Sequence, residues 1–223
     1  MRVSRNLLLA LLAVLALCAA SSAQIVFTNN DGMLTSSGTT SGDLALSGSS
    51  LTGISGLTPY IPNQNGPNLG SFSFATGAMN AGGNILTGAT FGAGGSISFA
   101  YTNGVVFNGS FVIGTTPGVA SMWTLIAPNT WAFSGTVNGT LTVPGYQPVM
   151  IMGATVQLTT FGANPTPHGS GYAFEDSGGT SNFGNRPTLS PVPEPGTLTL
   201  LGSGLVGLGF SVRRLRMGRA EAK

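Results

Sequence analysis

The chain has 223 residues, with 8 Lys plus Arg against 6 Asp plus Glu, only 6% charged residues, 42% hydrophobic residues and 35 glycines. Nearly all the basic residues sit at the two ends; between Gln24 and Pro191 only Arg186 opposes Asp31, Asp43, Glu175 and Asp176, a net charge of −3. A phosphate-binding surface needs clustered Lys or Arg, so nucleic-acid binding is excluded for this central region. Disorder is disfavoured too, because apolar residues here alternate rather than give way to charge.

Arg2 and Arg5 precede an apolar run from Leu7 to Ala20, and Ser21-Ser22-Ala23 then places small residues before Gln24. This order predicts a secretory signal helix over residues 1–23, cut between Ala23 and Gln24 by signal peptidase after passage through the general secretion machinery. A bulky Leu17 precedes Cys18, which argues against a lipoprotein signal. Cys18 is the only cysteine, so cleavage would leave an exported chain without thiol or disulfide chemistry.

Residues 24–161 are predicted to form one β-rich extracytoplasmic domain. Ile25-Val26-Phe27 and Asp43-Leu44-Ala45-Leu46 read as short strands with poorly specified register, and the segment from Thr58 to Asn63 as a loop. Leu69 to Ala75 alternates Phe72 and Phe74 against Ser71 and Ser73, one aromatic face and one small polar face. Strands are expected over Ser96 to Tyr101, Gly104 to Ile113, Met122 to Ile126, Thr130 to Val137, Gly139 to Val143 and Val149 to Thr160. Asn103-Gly104 and Asn138-Gly139 fall between alternating runs, where Asn-Gly suits a type I′ hairpin turn. Trp123, Trp131, Phe133 and Phe99 are the candidate inner face. The expected fold is all-β, a single antiparallel β-sandwich or partly closed barrel. Alternation stops over residues 162–191, where Pro, Gly, Ser and Asn dominate, and this stretch reads as a linker.

The chemistry-bearing residues are few. His168 is the only histidine and lies in a Pro/Gly-rich stretch, which favours a solvated loop residue over a metal ligand or general base. Glu175-Asp176 and Asn29-Asn30-Asp31-Gly32 are oxygen-rich, but neither has the spacing of a calcium loop and turn chemistry accounts for both. No pair among Asp31, Asp43, Glu175 and Asp176 is singled out for glycoside hydrolysis. Asn108-Gly109-Ser110 and Asn138-Gly139-Thr140 match the glycosylation pattern and are read as turns. Gly202 to Gly207 fits G-x-G-x-x-G inside an apolar run with no strand before it, so the dinucleotide reading fails. Tyr60, Tyr101, Tyr146 and Tyr172 would offer stacking surfaces for sugars if exposed. Thr140 and Thr142 form a single Thr-x-Thr pair, short of the flat Thr array that ice binding needs. Neither a cofactor nor a metal is expected, and the chain is read as non-enzymatic.

The last segment has three parts in order. Val192-Pro193-Glu194-Pro195 must be extended, because each proline lacks an N–H and disfavours helix before it. Gly196 to Val212 carries no charge and as a helix would reach roughly 25 Å, a short transmembrane helix against a hydrocarbon core of about 30 Å. Arg213, Arg214, Arg216 and Arg219 follow as a stop-transfer end that prefers the cytoplasmic side.

These three parts over residues 192–223 resemble the PEP-CTERM sorting signal of Gram-negative bacteria. The resemblance implies an exosortase-like membrane processing enzyme as partner, Val192 to Pro195 as its recognised motif, and a transient inner-membrane anchor before release to the cell surface or beyond. Proteins of this kind are associated with exopolysaccharide and biofilm, and the same signature occurs on proteins described as ice-binding. The sequence therefore leads to an exported, non-enzymatic surface or matrix protein with exopolysaccharide as a candidate partner. The competing classes are an adhesive carbohydrate- or ice-binding module and, third, a secreted hydrolase.

Overall fold

The computed structural model describes residues 24–160, 164–185 and 189–190. Among these the chain is all-β, in twelve strands: β1 (Gln24–Asn30), β2 (Met33–Ser36), β3 (Leu44–Ser55), β4 (Gln64–Ala75), β5 (Gly88–Phe91), β6 (Gly94–Tyr101), β7 (Val106–Phe111), β8 (Ser121–Ala127), β9 (Thr130–Thr142), β10 (Val149–Thr160), β11 (Thr166–His168) and β12 (Gly171–Asn185). The signal segment, the hydrophobic span and the basic tail lie outside the described residues.

Several strands are halves of one stave. β1 and β2 both pair with β3 on one side and β12 on the other. They are separated only at Asp31-Gly32, where both residues take positive φ, 59° and 115°. Likewise β5 pairs with β8 as β6 pairs with β7, while β7 and β8 share the same edge of β9. Counted this way, eight antiparallel staves follow one another in chain order, and β12 returns to β1 to close the ring. It is an up-and-down barrel, in which closure removes the free edges that an open sheet would expose. The all-β expectation holds among the described residues, but the sheet is neither a sandwich nor a partly closed barrel: it closes fully. Two compact units are distinguished, Met1–Pro144 with Pro148–Thr188, whose described part is the barrel, and Gly145–Gln147 with Leu189–Lys223. In the second, the Gln147 N–H donates to the Ser190 carbonyl at 2.8 Å.

Alternation puts every second residue of a strand inside, and eight strands leave an interior just wide enough for side chains to fill. Here the filling is aromatic. Phe72 and Phe99 stack at 4.3 Å, Phe27 and Phe107 meet Phe183 edge-on at 4.8 and 4.5 Å, and Phe74 stacks on Phe133 at 4.7 Å beside Phe111. Trp123 and Trp131 lie parallel at 6.2 Å with Phe174 against the edge of both. Each indole N–H finds a carbonyl, Trp123 that of Ile85 at 2.8 Å and Trp131 that of Leu86 at 3.3 Å, which ties the segment between β4 and β5 to the core. The aromatic faces read from the sequence at Phe72, Phe74, Phe99, Trp123, Trp131 and Phe133 are all buried.

The structure overturns sequence expectations at several places. Asn138-Gly139 is no turn: β9 runs straight through it, Asn138 opposite Ser110 and Gly139 opposite Gly109. A Cβ at Gly139 would run into the Asn108 carbonyl and meet the Phe107 ring at 2.6 Å, so this glycine serves close strand approach over a large ring. The Asn108 glycosylation motif, also read as a turn, is likewise mid-strand, in β7. Residues 162–191 are not simply a linker, because they contain β11 and the barrel-closing β12. Its regular pattern is broken by a register shift against β10 between Leu158 and Thr160, and by Gly179, where a Cβ would strike the Gln157 carbonyl. By contrast Asn103-Gly104 is a turn, with the Gly104 N–H on the Tyr101 carbonyl at 2.9 Å. Only Gly104 takes positive φ there, 88°, so the turn is not type I′.

Candidate functional site

The residues with titratable groups do not converge. His168 is exposed on β11, Asp43 lies in the β2–β3 turn with its Oδ1 accepting from the Ser37 hydroxyl at 2.5 Å, and Asp31 stands at the break between β1 and β2. Glu175 and Asp176 are neighbours on β12 whose side chains part company, Glu175 exposed and Asp176 5% exposed. Asp31, Gly32, Met33, Ser47, Gly48, Glu175 and Asp176 line one open hollow. Among the described residues no group of three or more His, Cys, Asp and Glu is placed to hold a metal ion.

Asp176, at the base of this hollow, is held in a buried network. Its Oδ2 accepts from the Asn29 amide at 3.1 Å and its Oδ1 from the Gly178 N–H at 3.1 Å, while the same Asn29 amide donates to Ser49 at 2.9 Å. Burial pushes the Asp176 carboxyl up to about 6; the hydrogen bonds from Gly178 and Asn29 oppose the shift and the charge of Asp31 adds to it. A carboxyl of this kind holds three strands together, β1, β3 and β12.

The tyrosines correct the sequence expectation at one position. Tyr101 is buried at 4% exposure, not on the surface, and its hydroxyl donates to the Gly53 carbonyl. Burial raises its phenol well above the ordinary range. Tyr60, Tyr146 and Tyr172 are half-buried, and the first and last lie in the β3–β4 connection and on β12, not in one stacking platform.

What the fold does assemble is the outer wall, which no single motif reveals. Cross-strand register lines up Ser73, Ser98, Asn108, Thr140 and Met150 on β4, β6, β7, β9 and β10, with the Ser98 hydroxyl on the Asn108 amide oxygen at 2.9 Å. A second row joins Ser134, Gln157, Thr180 and Thr28 on β9, β10, β12 and β1. Among the described residues there is no Lys or Arg. These two rows present hydroxyls, amides and one methionine and no charged group, so they offer hydrogen bonds but no ion pair. The signal that pointed to them is compositional, Ser, Thr and Asn alternating with aromatics.

The PEP-CTERM protein-sorting motif model matches residues 191–214. The match spans Val192 to Pro195, the apolar run and Arg213 and Arg214, and stops short of Arg216 and Arg219. No curated protein and no solved structure matches the chain.

Proposed function

We propose that this chain, whose C-terminus carries a PEP-CTERM sorting motif, is a non-enzymatic matrix protein that associates with extracellular polysaccharide. The motif implies export and sorting by an exosortase to the cell surface. The observation that supports the finer role is the outer wall: the described residues carry no Lys or Arg, and their strands turn rows of Ser, Thr, Asn and Gln outward. Such a wall is suited to hydrated, hydroxyl-rich polymers, which it meets without desolvating any ion. On this reading Gly196 to Val212 anchors the protein in the inner membrane only until the exosortase acts near Val192 to Pro195.

Two measurements on the native host test the proposal. Replacing Glu194 by Ala is expected to leave export intact and block processing, so that intact mass shows a membrane-held species starting at Gln24 and keeping Arg213 to Lys223. Normal release of Glu194→Ala overturns the sorting role of the motif. The processed wild type is expected to cosediment with polysaccharide purified from the host's own matrix; a protein that stays wholly in the supernatant overturns the matrix role.

A further inference from the structure

One of the hollows on the outer wall lies over β9 and β10 and carries no charged group. Between β7 and β8 the segment 113–119 leaves the sheet and forms a wall over β9 and β10, enclosing a groove of about 200 Å³. The wall is pinned at both ends to one residue of β9: the Val112 N–H donates to the Thr136 carbonyl at 2.9 Å, and the Thr136 N–H donates to the Ala120 carbonyl at 3.0 Å. Within the segment, the Gly114 N–H reaches the Val119 carbonyl at 3.1 Å and the Val119 N–H the Thr116 carbonyl at 3.1 Å. A groove held this way is already formed before any ligand arrives, which lowers the ordering cost of binding.

Its floor is a two-by-two lattice of outward side chains, Thr136 opposite Thr155 and Ser134 opposite Gln157. No hydrogen bond to any of these four side chains is formed within the described residues. Three hydroxyls, each a donor and acceptor, and one amide therefore stand free on a rigid sheet. No carboxylate and no cation lines the groove, so an ionic ligand would lose its hydration with no counter-charge in return. An apolar ligand would strip water from the same four groups and leave them unpaired. Met122, 43% exposed, and Val119 add a small apolar flank that matches the C–H face of a sugar ring.

We infer that this groove is a subsite for uncharged sugar units of a polysaccharide, discriminating against uronic-acid polymers. The inference rests on the matrix reading above and narrows it to one place and one ligand class. The processed protein is run by affinity electrophoresis in gels containing dextran or hydroxyethyl cellulose, both neutral, and in gels containing alginate, which is anionic. Retardation is expected in at least one neutral gel and not in alginate. The double variant Thr155→Val with Gln157→Ala is expected to bind the neutral polymer at least about tenfold more weakly, as loss of two hydrogen-bonding groups implies. His168→Ala, on β11 and outside the groove, is expected to bind as wild type. Should the first pair lower the melting temperature, Ser134→Ala alone provides the test.

Unchanged binding by variants of the groove that melt as wild type overturns the inference, as does stronger retardation in alginate. A wild type that ignores both neutral gels yet cosediments with the host's matrix overturns the groove assignment and leaves the matrix role standing. A wild type that binds neither overturns both.

Discussion

Asp176 shows how one buried group sets the pH response of the barrel. Its carboxyl titrates at about 6 in the fold against 3.8 for the ordinary side chain. The folded state therefore binds the proton more tightly than the unfolded chain, and stability is full below about 4 and lost as pH rises through about 6. The loss is at most about 3 kcal/mol. Asp176→Asn is expected to remove this slope and raise the melting temperature at pH 7 to 8, with Asn29 turning its amide to present oxygen to the new group; thermal melts between pH 4 and 8 check it. Gly139 shows the opposite constraint, in which a missing side chain is what counts. With the Asn108 carbonyl and the Phe107 ring against its Cα, Gly139→Ala is expected to cost about 1–3 kcal/mol by overpacking, read from the urea midpoint.

Among the strands, β12 decides whether the staves make a ring. It pairs with β1 and β2 on one side and β10 on the other, so a chain ending at Thr160 would leave two unpaired edges and strip Phe174 from the tryptophan pair. Such a truncation is expected to lose the near-ultraviolet circular dichroism of the core and its cooperative melt, whereas a chain ending at Ser190 keeps both. The alternation along β6, β7 and β9 was legible because apolar and polar residues swap faces within each of them, and Val149–Thr160 is the strand read from the sequence. β12 was not, because its bulge and its Gly178-Gly179 break the period that reveals a strand. The same ambiguity misplaced Asn138-Gly139: a glycine that admits a neighbouring backbone and one that turns the chain look alike until their partners are known. For the candidate site, the sorting motif was legible as an ordered tripartite signal. The groove was not, since Ser134, Thr136, Thr155 and Gln157 come together only through the register of β9 on β10.

For the whole molecule, charge separates what works from what delivers. The full chain has a pI of about 9.0 and a formal charge of +2, but apart from Arg186 its basic residues lie in the N-terminal segment read as a signal and in the C-terminal segment from 192 on. Removal of both segments is expected to carry the focusing point from about 9 to below neutrality, and isoelectric focusing of released against membrane-held protein checks it. A released form focusing near neutrality rather than in the acid range, where 6 basic and 6 acidic residues cancel once the signal segment is gone, would show that Arg213 to Lys223 had stayed on. The pairing of Gln24 with Asn185 has a bearing on timing as well as on shape. The first strand needs the last, so no ring exists until residue 185 has cleared the export channel, and contacts of such long sequence separation form slowly. The chain thus remains threadable for nearly the whole of its passage, and the barrel shuts only when the sorting segment, six residues further on at 191, has itself reached the channel.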